Sequence, residues 1–544
     1  MNGETQTKQT IGWLVMQTLR NYGIDTVFGI PGTHNLEFYR PLTALGIRPV
    51  TTRHEQGAGY AADGWSLQTG KPGVVLTTSG PGLLNALSAA GTGYCESRPM
   101  IILSPGPARG AECADVGALH ETKDQLAAAS AIVEWGRRVH TAVDAVQAVH
   151  DAFDLFTRGR PRPVYIEVPR DLLAEQAELA AVDLIPRDRV GPPSPDPESI
   201  AAAAGLLTAA TDPVILAGGG ARHATEPLRR LAERLNAPVV TTVNGKGALD
   251  EHHPLSLGSN LRLAAARNRA RDADVLLVIG SKLGAAELWV DRLQARGRVI
   301  RIDRVPSQIE KNQPVETGIV ADSKTALAAL VAALPTSTPS GTGDQVAARV
   351  TQTLTEVRAE CWELSAVNAA IAEDIAAALP ENAIVATDSS QIAYWGLINL
   401  LRVARPNSMP YMTTYATLGY GLPAALGTRI AEQDRPVFAV VGDGALMFSV
   451  QELITVVEQR LDVTVIVVDN GGYAEIKQNE WDAGIAPIAV DLTQPDWAAL
   501  GVAFGGSGRR VTSASELSEA ITIAGARGGL NLIHLHLPSY QGER

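Results

Sequence analysis

Two short polar stretches carry the clearest chemical signal in the sequence. Gly442-Asp443-Gly444 sets one carboxylate between two glycines. Asp469-Asn470-Gly471-Gly472 follows, with Asn470 placed 27 residues beyond Asp443. An Asp side chain, an Asn carbonyl and bare glycine backbone are hard oxygen ligands, suited to Mg²⁺ or Ca²⁺ bridging to a ligand's phosphates. Each stretch closes an apolar run, Val437 to Val441 and Val463 to Val468, that reads as a buried strand of a parallel sheet. Between them Phe448, Leu453, Ile454, Val456 and Val457 recur roughly at helical spacing. Parallel neighbours in such a βαβ unit bring both polar loops to one carboxyl-terminal sheet edge. Gly-Asp-Gly alone reads as an ordinary turn. The two loops together read as one site.

Two further candidates lie near the amino terminus. Glu55 stands in Arg53-His54-Glu55-Gln56-Gly57-Ala58-Gly59, at the start of a helix of small residues that can pack closely on its neighbours. A loop glutamate by itself is ordinarily solvated. His120, in Leu119-His120-Glu121, follows a loop of small residues and taken alone reads as a surface or loop-anchoring histidine. His34, after the turn Pro31-Gly32-Thr33, is the weaker candidate.

The segment GDGALMFS…VVDNGGY resembles the thiamine-diphosphate motif, which opens with GDG and closes on an Asn-containing turn. HEQGAGYAADG, followed by TSGPGLLNAL, resembles the pyrimidine-binding domain of the same enzymes, and the resemblance runs along nearly the whole chain. It implies that Asp443, Asn470 and the Gly472 carbonyl hold the metal on the diphosphate. Gly442, Gly444, Ala445 and Tyr473 belong to the same cofactor loops. Ser389, Ser390 and Gln391, in a polar turn after the strand Ala383 to Thr387, are placed to reach the diphosphate. In YATLGYGLPAALG the resemblance makes Leu418 the apolar fulcrum that bends the cofactor, and the Ala416 carbonyl the acceptor for its 4′-amino group. Glu55 matches the glutamate that bonds N1′ of the aminopyrimidine and so promotes loss of the C2 proton. His120 stands where acetolactate synthases carry Gln and some decarboxylases His, facing the substrate.

Within that family the chain departs from acetolactate synthases. His120 replaces their Gln, and YAEIKQNEW lacks the Trp and Met that follow their metal loop. The runs NGGYAEIK…GIAPIAVDLTQPDWAALGVAFG, GIPGTHNLEFYR and ALHETKDQ look closer to 5-guanidino-2-oxopentanoate decarboxylases. Glu475 puts a carboxylate where other members have an apolar pocket residue. A buried carboxylate needs a cationic partner, and a guanidinium tail would supply one bidentately. The resemblance therefore implies non-oxidative decarboxylation of a 2-oxo acid to an aldehyde and CO₂, with Glu55, His120 and Glu475 as the catalytic set. The alternative is an acetolactate-synthase-like carboligation.

The elements that must position these residues read as an α/β fold of three doubly wound domains, each with a mainly parallel sheet flanked by helices. Residues 1–185 form the pyrimidine-binding domain, 186–345 a central dinucleotide-type domain and 360–544 the diphosphate-binding domain. In the first, Ile11 to Tyr22 and Gly82 to Tyr94 read as helices. Val27 to Ile30, Val74 to Thr78, Met100 to Ser104 and Pro163 to Val168 read as strands. The proline cluster at 192–197 and the loose stretch 336–344 mark boundaries. Gly218-Gly219-Gly220 invites a dinucleotide, but the full glycine spacing and the ribose-binding acid are not in place. The central domain is therefore expected to be structural, with FAD the less favoured occupant. His534 and His536, alternating with leucines in the last strand, read as structural.

Composition bounds the rest. A chain of 544 residues exceeds one core. A net charge of −12 argues against a nucleic-acid partner. No apolar run is long enough for a membrane span, and the amino terminus shows no secretion signal. Cys95, Cys113 and Cys361 have no metal or redox-pair spacing and are expected to be buried thiols in a reducing cytoplasm. Thiamine diphosphate and Mg²⁺ are the expected cofactors. The resemblance implies a homodimer or homotetramer, each cofactor spanning two subunits.

Overall fold

Runs of Val, Ile and Leu bounded by glycine-rich turns become the strands of three parallel sheets, and Lys8–Thr10 pairs antiparallel with Gln176–Glu178 in a separate two-stranded sheet. The computed structural model of the protein describes residues 8–188, 191, 193–335 and 343–540. The chain divides into two compact units. One comprises Met1–Gly191 with Leu422–Gln433 and Ser449–Leu461, and the other the remainder.

In the first unit six strands lie in the order Arg48–Thr51, Thr26–Gly29, Gly73–Leu76, Met100–Gly106, Val164–Pro169, Trp135–Arg138. Helix Ile11–Asn21 starts where Thr10 caps it, its hydroxyl accepting from Trp13 N. Helix Glu55–Thr69 is buried on nearly every side, which its small residues permit. Gly59 lies against Ala89. A Cβ on Gly64 would collide with the Ala424 carbonyl, and one on Gly427 with the Ala61 carbonyl. Backbone therefore meets backbone where this helix crosses helix Gly421–Ala431. Inside the helix Asp63 pairs with Arg98 at 2.5 Å, both almost wholly buried.

The second unit holds two five-stranded sheets. One runs Val239–Thr241, Pro213–Ala217, Val275–Ile279, Arg298–Asp303, Thr317–Val320. The other runs Ile384–Thr387, Val437–Gly442, Val463–Asp469, Leu530–His536, Ser507–Val511. The two strands read around the metal motif are buried along their whole length. The expected single helix between them is in fact two, Asp443–Leu446 and Glu452–Glu458. Phe448, between them, is exposed, and the second helix, which belongs to the first unit, has Glu452 fully buried.

Other expectations are refined. Pro197 is the first residue of helix Pro197–Ala209, capped by Asp196, because the missing N–H of proline is no loss there; Pro192 lies outside the described residues. Of the stretch 336–344, positions 336–342 lie outside them, while Gly343 and Asp344 open the kinked helix Gly343–Ala378. The start of the chain, residues 1–7, likewise lies outside. Only Cys361 is a buried thiol, packed in a hydrophobic cluster; Cys113 is exposed and Cys95 half-buried. Among the described residues no helix is long and apolar enough to cross a membrane.

Candidate active site

In the second unit the polar loops converge as the motif spacing requires. Asp443 is almost wholly buried at the start of its short helix, and its Oδ2 has no hydrogen-bond partner. Burial, and then the charge of Asp469, push its carboxyl up to about 6. One atom of the Asn470 amide lies 3.1 Å from Asp443 Oδ1 and 3.1 Å from the Gly472 carbonyl oxygen. With nitrogen there, the amide donates to both. With oxygen there, three oxygens converge at about 3 Å, the edge of an octahedron whose ligands lie near 2.1 Å from a central Mg²⁺. The all-oxygen donor set and the orphaned Asp443 Oδ2 fit a divalent cation bound to phosphate. No cluster of three His, Cys, Asp or Glu side chains among the described residues competes for it.

The loop is braced from behind. His534 Nε2 meets Asp469 Oδ2 at 2.9 Å, and Asp469 Oδ1 accepts from Gly471 N at 3.0 Å. Burial alone would raise the Asp469 carboxyl, but these partners hold it below its usual range. Gly472 has φ +140, where a Cβ would strike the Val490 carbonyl. A Cβ on Gly444 would lie 2.9 Å from the Tyr473 ring, and one on Gly442 would lie 3.0 Å from Ser390 Cβ. The loops carrying Ala445, Tyr473 and Ser389 to Gln391 are thus brought together.

Asp388, not singled out from sequence, ties in the remaining turn. Its carboxylate accepts from the amides of Ser389 at 3.0 Å, Gly419 at 3.1 Å and Gly421 at 2.9 Å. Leu418, half-buried, and Ala416, with φ 50, sit in the turn so held. Glu475 opens helix Ala474–Asp482 and is half-buried. Its Oε2 accepts from Gln391 Nε2 at 3.1 Å and Trp395 Nε1 at 3.0 Å. It has no ion-pair partner among the described residues. Burial, and then the Glu475 charge, drive the Tyr394 phenol well above its usual range.

In the first unit the structure brings together Glu55, His120 and His34. Glu55 is the buried first residue of its helix, and Asn85 Nδ2 donates to its Oε2 at 3.0 Å. A Cβ on Gly82 would lie 2.8 Å from Thr78 and 3.0 Å from Glu55 Oε1. His120, in the left-handed region at φ 59, has Nδ1 3.4 Å from Thr78 Oγ1. His34 shares a 2.6 Å hydrogen bond with Ser79 Oγ, and its ring meets that of His120 edge-on at 5.1 Å. Burial, then the neighbouring His120, lower the His34 pKa.

Two anchors of this cluster escaped the sequence reading. Glu452, fully buried, accepts from the amides of Arg53 at 3.0 Å and His54 at 3.1 Å, immediately before Glu55. Gln125 accepts from Gly80 N at 3.0 Å and donates to Glu167 at 2.8 Å. The central glycines turn their amides inward: Gly218 N donates to the Ile279 carbonyl at 2.8 Å and Gly220 N to the Gly280 carbonyl at 3.1 Å.

Comparison with known proteins agrees with this geometry. Residues 9–128 match the family described as thiamine pyrophosphate enzyme, N-terminal TPP binding domain. Residues 200–330 match its central domain, and 388–535 its C-terminal TPP binding domain. The chain belongs to the thiamine-diphosphate-dependent enzymes. It is 38% identical over 535 residues, 98% of this chain and 95% of the relative, to the probable 2-ketoarginine decarboxylase AruI of Pseudomonas aeruginosa. It is 31% identical to the acetolactate synthase large subunit of Parasynechococcus marenigrum, covering 96% and 86% of the two chains. It is 30% identical to the acetolactate synthase isozyme 1 large subunit of Escherichia coli, covering 88% and 85%.

The Asp388 clamp has a signature in pH. Burial, only partly offset by the amide donors, pushes its carboxyl from 3.8 up to about 6. The folded protein thus keeps a proton that the unfolded chain has lost. This contribution to stability is full below the lower value and disappears as pH rises through the higher one. Asp388→Asn should remove that slope. Urea midpoints across this range should fall with pH for wild type relative to the variant; a constant offset would show that Asp388 ionises normally.

Proposed function

We propose that this enzyme catalyses the non-oxidative decarboxylation of 5-guanidino-2-oxopentanoate, also called 2-ketoarginine, to the aldehyde and CO₂. The observation that carries the substrate choice is Glu475, a half-buried carboxylate with neutral donors and no cation of its own. The name of the 38%-identical relative supports the same choice.

When bound, thiamine diphosphate supplies the carbon nucleophile and the electron sink for loss of CO₂. Asp443, Asn470 and the Gly472 carbonyl hold Mg²⁺, and the loops at Gly442, Gly444, Ala445 and Tyr473 enclose the diphosphate with Ser389, Ser390 and Gln391. Leu418 and the Ala416 carbonyl orient the pyrimidine ring. Glu55 exchanges a proton at N1′, held for it by the Glu452-anchored backbone. His120 faces the substrate and passes a proton or hydrogen bond to it, with His34 beside it. Glu475 orients the tail. Residues 1–185, 186–345 and 360–544 serve as pyrimidine-binding, central and diphosphate-binding domains. The inward-turned amides of Gly218 and Gly220 favour a structural central domain over one that binds FAD. We place the enzyme in the cytoplasm as a homodimer or homotetramer, in which Glu55 of one subunit and the metal loop of another grip each cofactor.

Glu55→Gln should bind the cofactor yet lose turnover by about 100- to 10,000-fold, the usual range for a missing acid–base group. C2 proton exchange in the bound cofactor at the wild-type rate would refute the role. Asp443→Ala should bind thiamine diphosphate no better with Mg²⁺ than without it. Calorimetry reads this directly, and wild-type affinity in the variant would put the cation elsewhere.

The substrate test compares kcat/KM for 5-guanidino-2-oxopentanoate and pyruvate, scoring CO₂ and the organic product together. Truncating one partner of a desolvated charge pair costs about 2–5 kcal/mol. Glu475→Ala should therefore lower the value for the guanidino acid by tens- to thousands-fold and leave that for pyruvate nearly unchanged. Equal losses on both substrates would assign Glu475 to the chemistry or the fold. Wild-type enzyme that prefers pyruvate and forms acetolactate would establish the carboligase reading, to which the acetolactate synthase relatives point.

A further inference from the structure

Glu475 lies against an aromatic wall assembled from two distant stretches of the second unit. After the turn holding Asp388, residues Ala393–Leu397 form a π-helical turn, a wide geometry that recurs at functional sites. It sets Tyr394 and Trp395 side by side, with ring centroids 5.6 Å apart. Trp289, just past the short helix Ala285–Leu288, meets Trp395 at 4.8 Å and 78°, and Tyr394 at 6.4 Å. Trp289 has φ 55, an uncommon conformation for so bulky a residue. It keeps 40% of its surface exposed.

The wall and the carboxylate are joined. Trp395 Nε1 and Gln391 Nε2 both donate to Oε2 of Glu475, and the Tyr394 phenol hydrogen-bonds the same carboxylate. The cluster already accommodates one guanidinium: that of Arg262 lies 4.8 Å from the Trp289 ring centroid and donates to the Tyr394 carbonyl at 3.2 Å.

We propose that Glu475 and the wall of Trp289, Tyr394 and Trp395 form a receptor that selects a planar guanidinium tail; this rests on the decarboxylase reading above. A guanidinium carries in-plane N–H donors and the charge that the neutral donors around this carboxylate lack. Its weakly hydrated, delocalised charge is attracted to aromatic faces. A ureido tail has the same plane and length but no charge, so it isolates the electrostatic part of recognition.

The test uses holoenzyme and two unreactive probes that lack the 2-oxo group, 5-guanidinopentanoate and 5-ureidopentanoate. They are titrated calorimetrically, and kcat/KM is measured for the corresponding 2-oxo acids. Wild type should favour the guanidino compound in both measurements. Trp289→Leu should lower the guanidino-to-ureido ratio by about 3- to 30-fold, the span of a cation–π contact. Trp289→Phe, which keeps an aromatic face, should retain most of it. An unchanged ratio in a folded Trp289→Leu protein overturns the receptor while leaving the decarboxylase reading intact. An equal loss in the Phe variant also overturns it. Wild-type enzyme that binds neither probe and prefers pyruvate overturns the receptor together with the reading beneath it.

Discussion

A carboxylate taken out of water must be met by donors or by a cation, because apolar surroundings return none of the hydration it loses. This chain answers that constraint in three ways. Where the structure is closed, the chain brings its own cation. Lys246 and Glu251 pair at 2.8 Å, both almost fully buried, and Asp63 of helix Glu55–Thr69 meets Arg98, which follows helix Pro81–Glu96. Where a loop must be fixed, backbone amides answer instead. Asp388 collects three of them and Glu452 two. Removing either side chain would orphan amides as well as free a carboxylate's space, which ties loop geometry to a single side chain.

Asp443 and Glu475 are not fully answered in either way. Asp443 accepts backbone amides yet leaves one oxygen buried and unpartnered, and Glu475 receives only neutral donors among the described residues. The proposed function supplies a cation to each of these two from outside. A hard divalent ion suits the first, beside the Asn470 amide and the Gly472 carbonyl. A delocalised organic cation suits the second, where the neighbours are indoles and a phenol.

What could be read from sequence follows the range of the interactions. Local signals served well: apolar runs became strands to within a residue or two, and Gly442 to Gly444 with Asn470 met across one βαβ unit. Glu452 was invisible because its partners, Arg53 and His54, lie some four hundred positions away, and nothing near Glu452 announces them. The Trp289–Trp395 contact joins separate segments in the same way. The helix expected across Phe448 failed for a different reason. Apolar periodicity reports which face is buried, but it does not register the break after Leu446 or the burial of Glu452, which hydropathy scores as exposed. His34, ranked below His120 by motif, shares its neighbourhood because the turn at Thr78 to Gly80 gathers both.

The placement of Glu55 shows how backbone anchoring and an absent side chain combine. A glutamate has several rotatable bonds, and among the described residues only Asn85 hydrogen-bonds this side chain. Its position is therefore set mainly by its main chain, which Glu452 fixes on the amino-terminal side and close helix packing fixes on the other. The space beside Oε1 is set by Gly82, where even a methyl group would press against both Glu55 and Thr78. Glycine is a poorer helix former than alanine, so helix stability does not account for its presence at that position. The clearance does: it leaves one oxygen of Glu55 unobstructed while Asn85 engages the other, the arrangement a group needs if it is to exchange a proton with a bound ring.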